Sequence, residues 1–195
     1  MKIIDILIES AELLGLHNDI PQLNSITPEN EEEILSANEN IASLFKLIKY
    51  SIRELCTNYI PIIDKKTIAT ENKTYPLTEF PNFIRIKNIT KQEELVKFKL
   101  IGKSIILEED GEFVVNYATY PIVSSVFEEL DFLQEFSPDA IVLGLCSYYS
   151  LAKGRFEEFQ TFNEKYVARA ESLKSLRTFN LPVRRWQWER KKLLN

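Results

Sequence analysis

The stretch that decides the fold is Tyr75-Pro76-Leu77-Thr78-Glu79-Phe80-Pro81-Asn82-Phe83-Ile84-Arg85-Ile86. It lies within residues 64–119, where the helical spacing of apolar residues that marks both flanks of this region stops. From Phe83 onwards apolar residues follow the period of two that is typical of a strand. The prolines at 76 and 81 bound a turn that leads into this alternating run. The sequence therefore predicts a β-unit held between two helical parts of the chain.

The β-unit is expected to be antiparallel, because short β-favouring runs follow one another with turn residues between them. We expect Ile84 and Ile86 on one face of a strand, with Phe83, Arg85 and Lys87 on the other. Asp110-Gly111 is typical of a hairpin turn, here joining residues 104–108 to 112–119. The predicted strands are Thr67–Thr70, 83–89, Lys97–Ile101, Lys103–Leu107 and 112–119. In the last of them alternation predicts one apolar face, formed by Phe113, Val115 and Tyr117.

Two helices are predicted before this unit. The first covers about Lys2 to Leu14 and ends at Gly15, a residue that readily adopts the left-handed conformation. Residues 17–27 then form a polar loop. Thr27 is the expected cap of a second, continuous helix that runs to Ile60-Pro61, a length of roughly 45 Å for about thirty residues.

The chain after the β-unit is also helical. Residues 122–136 are expected to form a loop or a short helix, and Ser137-Pro138-Asp139 has the pattern of a helix start. Near-helical spacing continues to Leu181-Pro182, and Gly154 marks a kink or a break. We therefore predict an α+β fold, a long-helix bundle with an inserted small antiparallel β-sheet or partly closed barrel. The predicted divisions are 1–62 with 122–180 for the bundle, 63–121 for the β-subdomain and 181–195 for a C-terminal arm.

Charge is unevenly distributed along the chain. The net charge of the 195 residues is −5, but residues 184–195 carry five cations against the single acid Glu189. The tail is thus +4 and the rest of the chain −9. An acidic body argues against a broad DNA-binding face. Asp5, Glu9 and Glu12 argue against a signal peptide, and the apolar run Ala140 to Ala152 is shorter than the roughly 20 residues of a membrane span.

The histidine, cysteine and glycine residues of the sequence form no recognisable catalytic, metal-binding or phosphate-binding pattern. His17 is the single histidine and lies in a polar loop, while Cys56 and Cys146 each sit in an apolar helical pattern typical of buried thiols. These three residues have no zinc-ligand spacing. Gly102-Lys103 has no glycine partner and no following helix, so it is not a phosphate loop. We expect no catalytic residue, no cofactor, no metal and no small-molecule ligand.

Carboxylates are plentiful, yet each cluster has a structural explanation. Glu29 to Glu33 suit the first turn of a helix, Glu108-Glu109-Asp110 a solvated hairpin tip, and Glu157-Glu158 the polar side of a long helix. Paired acids that meet in three dimensions would still permit hydrolysis. A carboxylate-dependent hydrolase therefore stays open as the least favoured alternative.

The C-terminal arm differs in composition from the rest of the chain, because basic and aromatic residues are interleaved in it. Such a pattern can stack on bases or grip phosphate. We favour instead the docking of Trp186 and Trp188 on a neighbouring surface, within this chain or on a partner subunit, with the cations in water. The predicted partner-binding residues are Arg184, Arg185, Trp186, Trp188, Arg190 and Lys191.

The order of parts resembles the head-to-tail adaptor proteins of tailed bacteriophages, in particular the tail tubular protein A group. Those proteins carry a Tyr-Pro-Leu-Pro-x-Asp-Phe motif that leads into a strand ending in Arg-Ile or a similar pair. Tyr75-Pro76-Leu77-Thr78-Glu79-Phe80 followed by Phe83-Ile84-Arg85-Ile86 looks like that motif. Its matching residues are Tyr75, Pro76, Leu77, Phe80, Phe83, Arg85 and Ile86.

The resemblance implies a non-enzymatic structural protein. It implies a ring of subunits, with the helical bundle facing the portal and the β-elements facing the next tail component. DNA would pass through the ring without specific binding. The expected partners are portal and tail proteins and further copies of this chain. The ring would form on assembly, and the isolated chain is either an oligomer or a monomer. The protein would be made in the bacterial cytoplasm, would not be secreted, and would end in the virion at the head–tail junction.

The residues themselves leave another reading open. A host adaptor for protein–protein interaction, in a cell and not in a virion, would use the same α+β scaffold. Gene neighbourhood separates the two readings, because portal, terminase and tail genes would flank a connector gene.

Overall fold

The structure is a computed structural model that describes residues 2–130 and 138–179. Helices form two blocks with a block of antiparallel strands between them, which confirms the predicted α+β class. The helices are α1 (Ile3–Leu13), α2 (Ile20–Asn24), α3 (Glu31–Ala37), α4 (Glu39–Glu54), α5 (Pro138–Ala152) and α6 (Phe156–Phe179). The strands are β1 (Ile62–Thr70), β2 (Thr74–Pro76), β3 (Phe83–Lys91), β4 (Glu94–Leu95), β5 (Phe98–Ile101), β6 (Ser104–Leu107) and β7 (Gly111–Thr119).

The first helix follows its prediction. Ile3 and Leu7 of α1 are fully buried, and the helix ends before Gly15, whose φ is +69°. The amide of Leu16 donates a hydrogen bond of 2.8 Å to the carbonyl of Ala11, which closes the last turn. The predicted loop at 17–27 is partly wrong. It contains the short helix α2, because Pro21 fits a first turn where no amide donor is needed.

The second predicted helix is wrong as a continuous element. The backbone leaves the helical region at Asn38, with φ −113° and ψ 107°, and α3 ends there. The Asn38 side chain then accepts hydrogen bonds from the amides of Asn40 and Ile41 at 2.9 and 3.1 Å, so it caps α4. The start also differs, because the N-cap position before Glu31 is occupied by Asn30 and not by Thr27. A π-helical turn, Leu55–Tyr59, extends α4 to the β-unit.

The C-terminal helices form a pair. α5 begins at Pro138, as the cap-then-proline pattern predicts. Gly154 has a φ of +70° and separates α5 from α6, so the predicted kink or break is a full break. Tyr166 of α6 is 2% exposed and belongs to the same buried cluster as Leu145 of α5.

The strands form two open antiparallel sheets. The larger has the strand order β1-β7-β3-β4 and the smaller the order β2-β6-β5. No closed barrel is found among the described strands. The predicted antiparallel pairing is therefore confirmed, but the strands divide between two sheets.

The Asp110-Gly111 hairpin prediction is wrong. β6 and β7 flank this dipeptide but lie in different sheets. The Asp110 carboxylate accepts a hydrogen bond from the amide of Lys73, and Gly111 pairs with Thr70 of β1. The dipeptide thus carries the chain from the small sheet to the large one. The positive φ that Gly111 allows is used here for the passage between the two sheets and not for a hairpin turn.

The predicted faces of β3 are also wrong. The register of β3 against β7 shifts between Phe83 and Arg85 and again between Ile86 and Asn88, as in a β-bulge. Ile84 consequently packs on the helical core, whereas Ile86 and Phe83 pack on the core between the sheets. A register shift of this kind interrupts the strict alternation of side chains between the two faces of the strand.

The described residues form two hydrophobic clusters. One joins the helices with Val123, Val126 and Leu130, and the other joins the strands. Phe113, Val115 and Tyr117 face the second cluster from β7, as predicted. The division into 1–62 with 122–180 and 63–121 stays a prediction, and the arm 181–195 lies outside the described residues.

Candidate interaction site

The predicted motif begins as a strand of the small sheet. Tyr75 of β2 pairs with Ile105 of β6. The chain then turns through a 3-10 helix at Leu77–Glu79, where the amide of Leu77 donates a 2.8 Å hydrogen bond to the carbonyl of Lys103. The amide of Phe80 donates to the carbonyl of Leu77 at 3.1 Å. The proline-bounded turn therefore carries the chain out of the small sheet and stays hydrogen-bonded to it at Lys103.

Phe80 is the centre of an aromatic cluster and is 3% exposed. Its ring lies 5.7 Å from that of Tyr75, 6.0 Å from that of Phe83 and 4.9 Å from that of Tyr117, measured between centroids. The contacts with Tyr75 and Tyr117 are edge-to-face, an arrangement that aromatic rings favour. The motif thus joins β2, β3 and β7 through one buried ring.

Tyr117 ties this cluster to the edge strand β1. Its hydroxyl donates a hydrogen bond of 2.9 Å to the carboxylate of Asp64. Burial, followed by that hydrogen bond, raises the pKa of Tyr117 to about 12. The phenol therefore stays protonated and keeps its role as a donor at neutral pH.

Lys66 covers the other side of the motif. Its ammonium lies 5.4 Å from the centroid of Phe80 and 5.7 Å from that of Tyr75, a cation–π geometry. It also donates to the carbonyl of Glu79 and lies 3.8 Å from the Glu79 carboxylate. One lysine of β1 thus holds the turn against the large sheet.

The second half of the motif enters β3 through a left-handed residue. Asn82 has a φ of +50°. The Thr119 hydroxyl lies 3.1 Å from the carbonyl oxygens of both Pro81 and Asn82, where it can donate to either. Arg85 is exposed. The motif residues are therefore brought together as a packed joint between the sheets, with Pro76 and Arg85 at its surface.

The other predicted contact residues belong to the C-terminal arm. Arg184, Arg185, Trp186, Trp188, Arg190 and Lys191 all lie outside the described residues.

Both cysteines are buried, as predicted. Burial raises the pKa of the Cys146 thiol to about 12, so it stays protonated and is a poor nucleophile. His17 is exposed after α1. Among the described residues, no group of three or more His, Cys, Asp or Glu side chains is arranged to hold a metal ion.

The acidic cluster at Glu29 to Glu33 has a structural use that the sequence did not indicate. The Glu31 carboxylate accepts hydrogen bonds from the Ser125 hydroxyl at 2.7 Å and from the Val126 amide at 2.9 Å. It therefore fastens the segment after β7 to α3. Glu158 lies 3.4 Å from Arg155 at the start of α6.

Sequence reasoning missed a basic groove of about 500 Å³ where α4 meets the end of β7. Its cations, Lys46, Lys49 and Arg53, are spaced three and four residues apart and share one face of α4. None of the three forms an ion pair within the described part of the chain. The lining residues are Lys46, Lys49, Tyr50, Arg53, Asn82, Tyr120, Pro121, Ile122 and Val123.

Aromatic rings flank these cations. The Lys49 ammonium lies 4.1 Å from the ring centroid of Phe45, and the Arg53 guanidinium 5.2 Å from that of Tyr120. None of the described residues that line the groove carries a carboxylate. We call this surface the α4 groove. The spacing of its cations on α4 was visible in the sequence, but the approach of residues 120–123 was not.

The turn between β3 and β4 is a second feature that was missed. Gln92 and Glu93 have positive φ values of 50° and 70°. Glu93, Glu94 and Leu95 are all exposed, and Leu95 is 67% exposed. We call residues Gln92–Leu95 the acidic turn.

Comparison with known proteins gives no family. No family model matches the chain, and no curated protein matches it. Within the described residues, no helix is both long enough and apolar enough to cross a membrane.

Proposed function

We propose that this chain is a non-enzymatic structural protein of a tailed bacteriophage or prophage, a subunit of the connector ring between portal and tail. The observation that carries the proposal is the segment from Tyr75 to Ile86. Its sequence resembles the tail tubular protein A motif, and its residues form the packed joint of a β-unit inserted between helices. A joint of this kind suits a protein whose work is to hold two assemblies at a fixed angle.

The parts of the fold suit such an assembly. In the proposed ring the helices face the portal and the strands face the next tail component. β5 is the outer strand of the small sheet and exposes Leu100 and Ile101, the latter 63% exposed. An apolar sheet edge of this kind is a ready surface for a partner strand.

The charge of the chain suits a channel for DNA. Residues 1–183 carry −9, so DNA phosphates would be repelled from most of the surface. In this proposal DNA slides through the ring without specific binding, and the virion is the final location of a protein made in the bacterial cytoplasm. The basic arm would contact an adjacent subunit or the portal through Trp186 and Trp188.

The direct test is binding to the portal protein encoded near this gene. Purified chain and portal are mixed and separated by size, with Trp186→Ala/Trp188→Ala and removal of residues 181–195 as variants. We expect co-elution for the intact chain and weaker co-elution for both variants. A chain that stays separate from the portal, and whose gene has no portal, terminase or tail gene beside it, would overturn the proposal.

A further inference from the structure

We propose that the α4 groove of one copy receives the acidic turn of a second copy. This contact rests on the ring proposed above and names the surfaces that would join its subunits. Lys46, Lys49 and Arg53 are on one side of it, and Glu93, Glu94 and Leu95 are on the other.

No described carboxylate pairs with the three cations of the α4 groove, in a body whose net charge is negative. Such cations attract a carboxylate-bearing surface and steer its approach. The groove is also apolar on one side, where Ile122 is 67% exposed and Tyr50 50% exposed. Its occupant should therefore carry both acids and an apolar side chain.

The acidic turn has that composition. Neither Glu93 nor Glu94 forms an ion pair with any described residue, and Leu95 beside them is the apolar side chain. The turn is also held in place, because Thr90 pairs with Leu95 and Lys91 with Glu94. A preformed turn loses less conformational entropy on docking than a free loop would lose.

The two surfaces lie at opposite ends of one strand. Asn82 lines the groove one residue before β3 begins, and Gln92 opens the acidic turn one residue after β3 ends. Nine residues at about 3.3 Å per residue separate them by roughly 30 Å. They cannot meet within one chain. In the proposed ring the contact is head-to-tail, and the ring closes when the rotation per subunit allows it.

A protein occupant fits better than nucleic acid. A phosphate backbone would satisfy Lys46, Lys49 and Arg53 but would leave the exposed side chains of Ile122 and Tyr50 without apolar contact. The negative charge of the surrounding body would also oppose nucleic acid. A second copy supplies acids and leucine together.

Charge reversal tests the pairing. One variant reverses the groove (Lys46→Glu/Arg53→Glu), one reverses the turn (Glu93→Lys/Glu94→Lys), and one carries both changes. Matched controls reverse exposed residues elsewhere, Lys87→Glu/Lys165→Glu and Glu12→Lys/Glu71→Lys. Sedimentation velocity at low and high salt measures self-association, and circular dichroism verifies folding.

We expect the wild type and both controls to self-associate, more weakly as salt rises. Each single-surface variant should associate about tenfold more weakly or worse. The combined variant should recover, and so should a mixture of the two single-surface variants, because each then meets an opposite charge. A monomeric wild type, unaffected single-surface variants or an absence of recovery would each overturn the inference.

Binding of a fluorescent DNA duplex to the wild type and to the groove variant tests the alternative that the groove binds nucleic acid. If reversing the groove abolishes DNA binding and leaves self-association unchanged, the groove is a phosphate site and the inference is wrong. Failure here is distinct from failure of the proposed function. If the charge-reversal variants still form rings that bind the portal, only this contact is refuted. If self-association depends on these charges but the chain does not bind the portal, only the connector role is refuted.

Discussion

Gly144 of α5 lies so close to Ser51 of α4 that a Cβ at position 144 would stand 2.4 Å from the Ser51 Oγ. The same Cβ would be 3.1 Å from the ring of Tyr166 in α6. The Ser51 hydroxyl donates a 3.2 Å hydrogen bond to the carbonyl of Ile141, and rotation of the hydroxyl away from position 144 would break this bond. Three helices of the bundle therefore meet at a point that only glycine fits.

Gly144→Ala should lower the free energy of unfolding by about 1–2 kcal/mol, because overpacking outweighs the gain in helix propensity. The change should cost less in a Ser51→Ala background, where one of the obstructing atoms is gone. Urea denaturation of the four combinations measures both effects. A stabilised Gly144→Ala protein would show that the helices are not packed this closely.

Phe80→Ala should cost about 3–5 kcal/mol, because it removes a buried ring that contacts three others. The control is Phe156→Ala, since Phe156 is 68% exposed and should change stability by about 0.5 kcal/mol or less. Thermal and urea unfolding measure both. Equal effects at the two positions would contradict the motif's role as a joint.

Asn38→Ala should cost about 1 kcal/mol or more, because the side chain caps α4. The loss extends beyond the cap, since the Asn38 amide also donates 2.8 Å hydrogen bonds to Asp19 and Gln22. Asn24→Ala, at an exposed position at the end of α2, serves as the control in urea denaturation. A cost no greater than that of the control would contradict the account of the break between α3 and α4.

Tyr117 should make stability depend on alkaline pH. Its folded pKa is about 12 against an ordinary value of 10.0, so above pH 10 the unfolded chain loses the phenolic proton first. The stabilising contribution is complete below pH 10 and declines as the pH rises towards 12. Tyr117→Phe removes this decline. Urea unfolding of both proteins from about pH 8 upwards measures the difference, and parallel curves would contradict it.

Local sequence signals predicted much of the fold. Gly15 ends α1 with the positive φ that was expected there, Gly154 separates α5 from α6 where a kink or a break was expected, and Pro138 begins α5. Apolar alternation identified the buried face of β7 at Phe113, Val115 and Tyr117. These features depend on residues near in sequence, which is why a pattern can reveal them.

The predictions were wrong where contacts with residues distant in sequence determine the local structure. Helical spacing continues through Asn38, but its side chain finds Asp19 and Gln22 and caps a new helix instead. Asp110-Gly111 has a hairpin pattern, yet Asp110 bonds to Lys73 and the chain crosses to the other sheet. The bulges of β3 are a property of its pairing with β7, so alternation alone misassigned Ile84.

The candidate site divides in the same way. The motif from Tyr75 to Ile86 was visible because its residues are contiguous. The α4 groove was not, because Tyr120 and Ile122 reach Arg53 only through the fold. The acidic turn gave no signal beyond two adjacent acids, and its fixed shape depends on the pairing of β3 with β4.

The most direct test of the connector role is electron microscopy of the purified chain mixed with the portal protein encoded near it. The account predicts a ring of this chain stacked coaxially on the portal, with the helices against the portal and the strands distal. Portal particles that carry no added ring, beside a chain that remains monomeric at the highest attainable concentration, would contradict it.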